Sequence, residues 1–206
     1  MSRDDGKAAY ERLRVAHLAA VRASLEDHVA RLDWPAGCIE RYQTERLRSL
    51  LAFARERSPF HRARMAGLDP VTATVDDLAR LPPMVKHEAQ EDWDAIVTAP
   101  DIDRAGAEQV LASQSWFSYT ASGLQVFSSG GSSGVRGVYV WDWAQFVTLA
   151  CLAWRWQVRA ERAAGTDVSP ARLAVLEAGE PPHASTPLFD VATGPVSYTH
   201  LTLPTN

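Results

Sequence analysis

The chain has 206 residues, enough for one medium domain or two small ones. Hydrophobic residues make up 46% and charged residues 22%, the balance of a soluble globular protein rather than a disordered or fibrous one. A net charge of -4 gives no broad electrostatic case for nucleic acid or for an anionic membrane.

Two cysteines, Cys38 and Cys151, lie in unrelated contexts. They form neither a CxxC pair nor a disulfide framework, which points to a reducing, cytoplasmic setting. The opening Met1-Ser-Arg-Asp-Asp-Gly6 has no apolar core of a signal peptide, and no apolar run approaches membrane-spanning length.

Residues 3–32 read as one long helix. Tyr10, Leu13, His17, Val21, Leu25, His28 and Leu32 recur at spacings of three and four, and Asp4 is placed to cap the start. His17 and His28 lie near this apolar face. No HExxH pattern or close His pair accompanies them, so they are expected to pack rather than to bind metal. Trp34-Pro35 ends the helix and opens a second over 36–57. Its expected inward stripe is Ile39, Tyr42, Leu47, Leu50, Leu51 and Ala54. Arg41, Glu45, Arg48, Arg55 and Glu56 make a solvated face.

Ser58-Pro59 stops that helix. A short helix over 60–66 follows, closed by Gly67. Thr74-Val-Asp-Asp77 has the form of a capping box, with Asp in place of Glu. Leu78, Leu81 and Met84 are expected to fill a small core around Pro82-Pro83. Another helix is expected over 87–97 with Trp93 and Ile96 inward, then a loop and short helix over 101–112.

Segments 116–119 and 124–127 are expected to be paired strands, turning at Ala121-Ser-Gly123. The most informative stretch comes next. Residues 128–137 hold only Ser, Gly, Val135 and Arg136, between Leu124, Val126, Phe127 on one side and Val138, Tyr139, Val140, Trp141 on the other. That predicts strand, Gly/Ser loop, strand. Glycine lets backbone N–H groups turn inward and lets a ligand come close. Serine hydroxyls add donors and Arg136 a fixed positive charge, a combination suited to an anionic phosphate chain. A solvated Gly/Ser linker is the plain alternative, but linkers have polar flanks and these are apolar and aromatic. A Walker-type P-loop is excluded, because no lysine follows Gly134 and the next segment reads as a strand.

Asp142-Trp-Ala-Gln145 then predicts a capped helix running to about residue 163. Phe146, Leu149, Leu152, Ala153, Trp156 and Ala160 are its expected buried positions. Residues 172–177 form an apolar run fitting a buried strand. His183 follows its carboxyl end, where open α/β sheets gather ligands. It is a candidate substrate-pocket residue beside the plainer reading of a surface-loop histidine.

The loop Ser129-Gly130-Gly131-Ser132-Ser133-Gly134 resembles the phosphate-binding motif of the adenylate-forming (ANL, AMP-binding) superfamily, usually Thr-Ser-Gly-Ser-Thr-Gly followed by Lys-Pro-Lys-Gly. Val135-Arg136-Gly137 departs from the second part, with Arg136 in place of a lysine charge. Upstream, Leu50 to His61 with its Ser58-Pro-Phe-His61 end, Asp76-Asp-Leu-Ala-Arg-Leu-Pro82, and Val85-Lys86 resemble the N-terminal region of the phenylacetate–CoA ligase-like branch. His61 stands where that branch has Tyr, and Val85 where it has Thr. Together the matches span about residues 45–145.

The resemblance implies an α/β fold: a helical N-terminal region over 1–112, then over 113–195 the incomplete start of the α/β nucleotide-binding part. It implies a fragment of an ATP-dependent acid–CoA ligase, itself inactive. The parent would join a carboxylic acid to AMP and pass the acyl group to CoA, an aromatic acid being the analogy with this branch. Ser129 to Gly134 would hold ATP phosphates, with Arg136 assisting and Mg2+ bridging phosphate oxygens. No protein metal ligands and no catalytic residue are assigned. The implied partners are the acid, ATP and CoA, with a homodimer left open. The competing class is a non-catalytic helical binding protein whose Gly/Ser loop is structural. Residues 196–206 break the Ala/Arg/Glu-rich style before them and resemble a translated sequencing adapter, so a non-native tail is expected there.

Overall fold

The computed structural model describes residues 3–113, 120, 122–129 and 134–165. The described chain is mostly helical with one small two-stranded antiparallel sheet. Helix α1 spans Arg3–Ala30 and runs into a 3-10 turn, Arg31–Asp33. Since the helix already includes Arg3, Asp4 lies inside its first turn rather than capping it. The predicted stripe is the buried one: His17, Val21 and His28 are buried, while Leu13, Leu25 and Leu32 are half-buried. The Tyr10 side chain lies outside the described part.

Helix α2 spans Ala36–Arg57, the predicted bounds, starting after Pro35 and ending at Ser58. Leu51 is buried, but Leu50 is 61% exposed, so the inward stripe is narrower than the spacing suggests. Arg48 is not part of a solvated face. Its guanidinium donates to the carbonyls of Ala73 and Thr72 and ties α2 to the following loop. Arg62 donates to the Arg55 and Glu56 carbonyls, satisfying acceptors that the last turn of α2 leaves open.

Helix α3 spans Pro59–Arg64 with proline in its first turn, where no N–H is needed. The fully buried Ser58 serves both ends of this junction. Its Oγ accepts the His61 N–H at 3.2 Å and donates to the Ala95 carbonyl at 2.7 Å. Gly67 is not a left-handed cap. Positive φ occurs, among the described residues, only at Gly123, Gly134 and Gly165. Thr74 begins a 3-10 helix, Val75–Arg80, its N–H and hydroxyl both donating to Asp77 at 2.9 Å. Of the three residues expected to build a core here, Leu81 packs inward, whereas Leu78 and Met84 are exposed. Leu47, Leu51, Ala54, Met65, Leu68 and Ala73 complete that cluster.

The single helix predicted over 87–97 is two: α4, Lys86–Glu91, and α5, Trp93–Ile96, broken at Asp92. The break turns Trp93 into the core. Helix α6 spans Arg104–Ser113. Strand β1 (Gln125–Ser128) pairs with β2 (Val138–Trp141) in register Ser128 to Val138 through Gln125 to Trp141. The expected partner strand at 116–119 lies outside the described residues. Trp93, Ala107, Leu111, Val126 and Val138 pack α5 and α6 under this hairpin.

Helix α7 spans Trp143–Ala163, capped by the Asp142 carboxylate accepting the Gln145 N–H at 2.8 Å. Of its expected buried positions, Phe146 is buried and the other five are exposed. Phe146, Ala150 and Cys151 are buried against Val21 and Leu25 of α1, while Leu149, Leu152 and Trp156 face outward and Ala153 and Ala160 are exposed. Among the described residues, two of the three core clusters join residues on either side of position 112. No helix of the described residues is long and apolar enough to cross a membrane.

Candidate functional site

The Gly/Ser loop sits at the tip of the β1–β2 hairpin. The hydrogen bonding continues one step past the last strand pair. Ser129 N–H donates to the Gly137 carbonyl at 2.9 Å, and Gly137 N–H donates to Ser129 Oγ at 2.9 Å. The serine side chain thus substitutes for the carbonyl that a continuing ladder would use. Ser129 defines the base of the loop, and its Oγ already serves Gly137. Gly137 is buried, and an added Cβ would lie 2.5 Å from the Tyr139 hydroxyl oxygen. That ring stacks on Phe127, with centroids 5.4 Å apart.

Gly134 has φ +85, a conformation that favours glycine, with open space where a Cβ would stand. The glycine signal in the sequence therefore has a backbone cause at this position. Gly130, Gly131, Ser132 and Ser133, the middle of the predicted phosphate loop, lie outside the described residues, as does His183.

Val138 anchors the hairpin to the helices. In an antiparallel pair, residues alternate between those that bond across and those that face away. Val138 faces away from β1. Its N–H donates to Gln90 Oε1 at 2.7 Å, and its carbonyl accepts Trp93 Nε1–H at 2.9 Å. Both polar groups of a buried edge residue are thereby satisfied by α4 and α5. The hydroxyl of Ser128, 1% exposed, and Oε1 of Gln125 are buried with no hydrogen-bond partner among the described residues.

Arg136 stands at the mouth of the loop and forms an ion pair with Glu108 of α6. The other Glu108 oxygen accepts Arg104 Nε and Nη2 at 3.2 and 2.9 Å. Arg104 Nη1 reaches Gln90 Oε1 at 2.7 Å. Partial burial alone would raise the Glu108 carboxyl, but the hydrogen bonds and charges of Arg104 and Arg136 outweigh it and hold its pKa below the usual range. The sequence offers Arg136 as a fixed positive charge for phosphate. In the structure its charge is met by Glu108. Neither Glu108 nor Gln90 carries a sequence signal, since each acts through a contact 28 or 48 residues away.

The two histidines of α1 behave as packing residues. His17 stacks on Trp143 with ring centroids 3.0 Å apart, and burial lowers its pKa to about 4. His28 is lowered by burial, then by Arg31 and Arg155, with Asp27 opposing. No group of three or more metal-ligating side chains occurs among the described residues.

Among the described residues, the hairpin brings one guanidinium, that of Arg136, beside the base of the Gly/Ser loop. Its described residues contain no paired nucleophile and base. No protein-family model, curated protein or solved structure matches the chain.

Proposed function

We propose that the β1–β2 hairpin loop is a polyphosphate-binding element and that the chain is a portion of an ATP-dependent acid–CoA ligase. The observation that carries this reading is the hairpin itself. Two apolar strands hold a Gly/Ser loop whose base is closed by Ser129 and Gly137, with a left-handed glycine at 134 and Arg136 at its mouth. The resemblance to the adenylate-forming superfamily supplies the chemistry. A carboxylate attacks ATP to give an acyl-adenylate and pyrophosphate, and CoA then displaces AMP. The protein's contribution would be to neutralise and align the phosphates, with Mg2+ between their oxygens. In this reading the finer fold is the opening of an adenylate-forming large domain, Ser129 to Gly134 with Arg136 hold the phosphates, and the acid, ATP and CoA are the partners. Two free cysteines, Cys38 and Cys151, support a reducing cytoplasmic setting.

The test is calorimetric titration of the 206-residue chain with Mg–ATP and with tripolyphosphate, with acid-dependent pyrophosphate release assayed on the intact gene product. Saturable binding weakened by Arg136→Ala is expected. Absence of binding at millimolar ligand overturns the phosphate assignment.

A second reading is favoured by one observation. Helix α7 presents Leu149, Leu152 and Trp156 outward, the last 59% exposed. A non-catalytic helical binding protein would use such a face. Acid- and CoA-dependent AMP formation by the intact gene product decides against it.

A further inference from the structure

Positive charge is spread unevenly over the chain. Residues 41–64 hold seven arginines and two glutamates, a surplus of five positive charges in a chain whose net charge is -4. Among the described residues, only Arg57 and Arg64 of the seven hold a carboxylate. Arg48 donates to the carbonyls of Ala73 and Thr72, and Arg62 to those of Arg55 and Glu56. A carbonyl accepts the hydrogen bond but cancels no charge. Arg46 lies over the Tyr42 ring, 5.3 Å from its centroid, and Arg57 meets its exposed neighbour Glu56 at 3.5 Å.

Arg46 and Arg57 also bracket an exposed apolar pair. At 3.6 residues per turn, positions 46, 50, 53 and 57 line one side of α2 over about three turns. Leu50 is 61% exposed and Phe53 45%, whereas Leu47, Leu51 and Ala54 turn to the small core instead. Spacings of four, three and four are those of successive seam positions in a pair of helices.

We propose that this side of α2 docks an amphipathic helix of another protein, one whose apolar pair is flanked by carboxylates at the same spacing. Charge decides the occupant. The order Arg, Leu, Phe, Arg carries the same charge at both ends, so a second copy of α2, parallel or antiparallel in register, would set arginine against arginine. An anionic lipid surface fits less well. Glu56 is 73% exposed and one turn from Phe53, with Glu45 on the same flank, and a flat bilayer would press both against its headgroups. A helix touches the stripe alone. Its carboxylates would meet Arg46 and Arg57, its apolar pair would cover Leu50 and Phe53, and a lysine beside the pair would suit Glu56. This surface is independent of the hairpin, so it stands or falls apart from the phosphate reading.

The probe is a fluorescent alanine-based helical peptide of about 20 residues carrying Glu-x3-Leu-x2-Leu-x3-Glu, long enough to hold its helix in water. It is titrated into the 206-residue chain by anisotropy. Replacing both peptide glutamates with glutamine should weaken binding about three- to thirtyfold, and this comparison needs no change to the chain. Leu50→Ser with Phe53→Ser should weaken it at least about tenfold. Arg46→Glu with Arg57→Glu should reverse the preference, rejecting the glutamate peptide and accepting one with lysine at those two positions. Equal binding of the glutamate and glutamine peptides overturns the proposal, as does no saturable binding up to about 1 mM. Two further results would reassign the surface and overturn it as well. One is sedimentation with phosphatidylserine vesicles that the double serine variant abolishes, which means a lipid surface. The other is concentration-dependent dimerisation abolished by the same variant, which means a second copy.

Discussion

His17 of α1 lies flat on Trp143 at the start of α7, their ring planes 11° from parallel. Trp143 also donates its indole N–H to the Gly123 carbonyl at 2.7 Å, so the stack joins the long helix to the turn before β1. Burial holds His17 neutral, with a pKa of about 4 against 6.5 in the unfolded chain. Between those values the unfolded state binds more protons. Stability is therefore full above pH 6.5, falls as pH drops through 6.5 towards 4, and levels off below that. The loss has an upper bound of about 3 kcal/mol, and His28, shifted the same way, adds to it. Urea unfolding at pH 7.5 and pH 4.5 measures it. His17→Phe should flatten part of the slope. An unchanged slope in that variant would show that His17 is not the titrating group.

Trp93 Nε1–H bonds the Val138 carbonyl at 2.9 Å inside the core. Trp93→Phe keeps an aromatic ring but leaves that carbonyl buried and unpaired, at a cost of about 1–3 kcal/mol. Phe at this site should also loosen β2, seen as faster amide exchange at Tyr139 and Trp141, whose N–H groups face β1. Wild-type stability in the variant would mean that water replaces the indole.

Ser58→Ala removes both the cap of α3 and the bond to Ala95. A loss of about 1–2 kcal/mol is expected from thermal unfolding. Ser58→Thr, which keeps the hydroxyl, should recover part of it unless its methyl group meets a side that is already filled.

Ser128→Ala should act in the opposite direction. Its buried hydroxyl has no partner among the described residues, so removing it sheds an uncompensated polar group. A gain of up to about 1 kcal/mol is expected. A clear loss of stability would reveal a hydrogen bond or a bound water at that position.

Gly134→Ala should cost about 1–2 kcal/mol, because the left-handed backbone disfavours a Cβ even though the space around it is open. Gly137→Ala differs in cause, since the Tyr139 ring must swing away and give up its stack on Phe127. Circular dichroism and urea titration separate the two. Tripolyphosphate affinity should drop in both variants.

Helix limits were the most legible feature of the sequence, because they are set by local chemistry. Pro35 and Ser58-Pro59 bracket α2, and Asp142 caps α7 where its spacing to Gln145 places it. The strands flanking the Gly/Ser loop were legible through their apolar residues, but the closure of its base by Ser129 and Gly137 was not, because it depends on the strand register. The buried face of α7 was not. Trp143, Phe146, Val147, Leu149, Cys151, Leu152, Trp154 and Trp156 put apolar groups all round that helix, so its period admits several stripes. Contact with Val21 and Leu25 selects the one that is covered. The break at Asp92 was hidden because no proline or glycine marks it. Glu108 and Gln90 were invisible because their role arises from tertiary contact with Arg136 and Val138.

The pairing of α1 with α7 has a consequence for the order in which the chain is made. Cys151 meets the Val21 carbonyl across 130 residues of chain. At about 5–20 residues per second, the apolar side of α1 leaves the ribosome roughly 7–25 seconds before its partner does. During that interval Val21 and Leu25 have nothing from α7 to cover them, and the nascent chain presents an amphipathic helix to whatever binds such surfaces. Ribosome-stalled chains ending at Gly137 should leave α1 open to protease, and chains carrying all of α7 beyond the exit tunnel should protect it. Protection of α1 in the shorter chains would mean that another segment shelters it first.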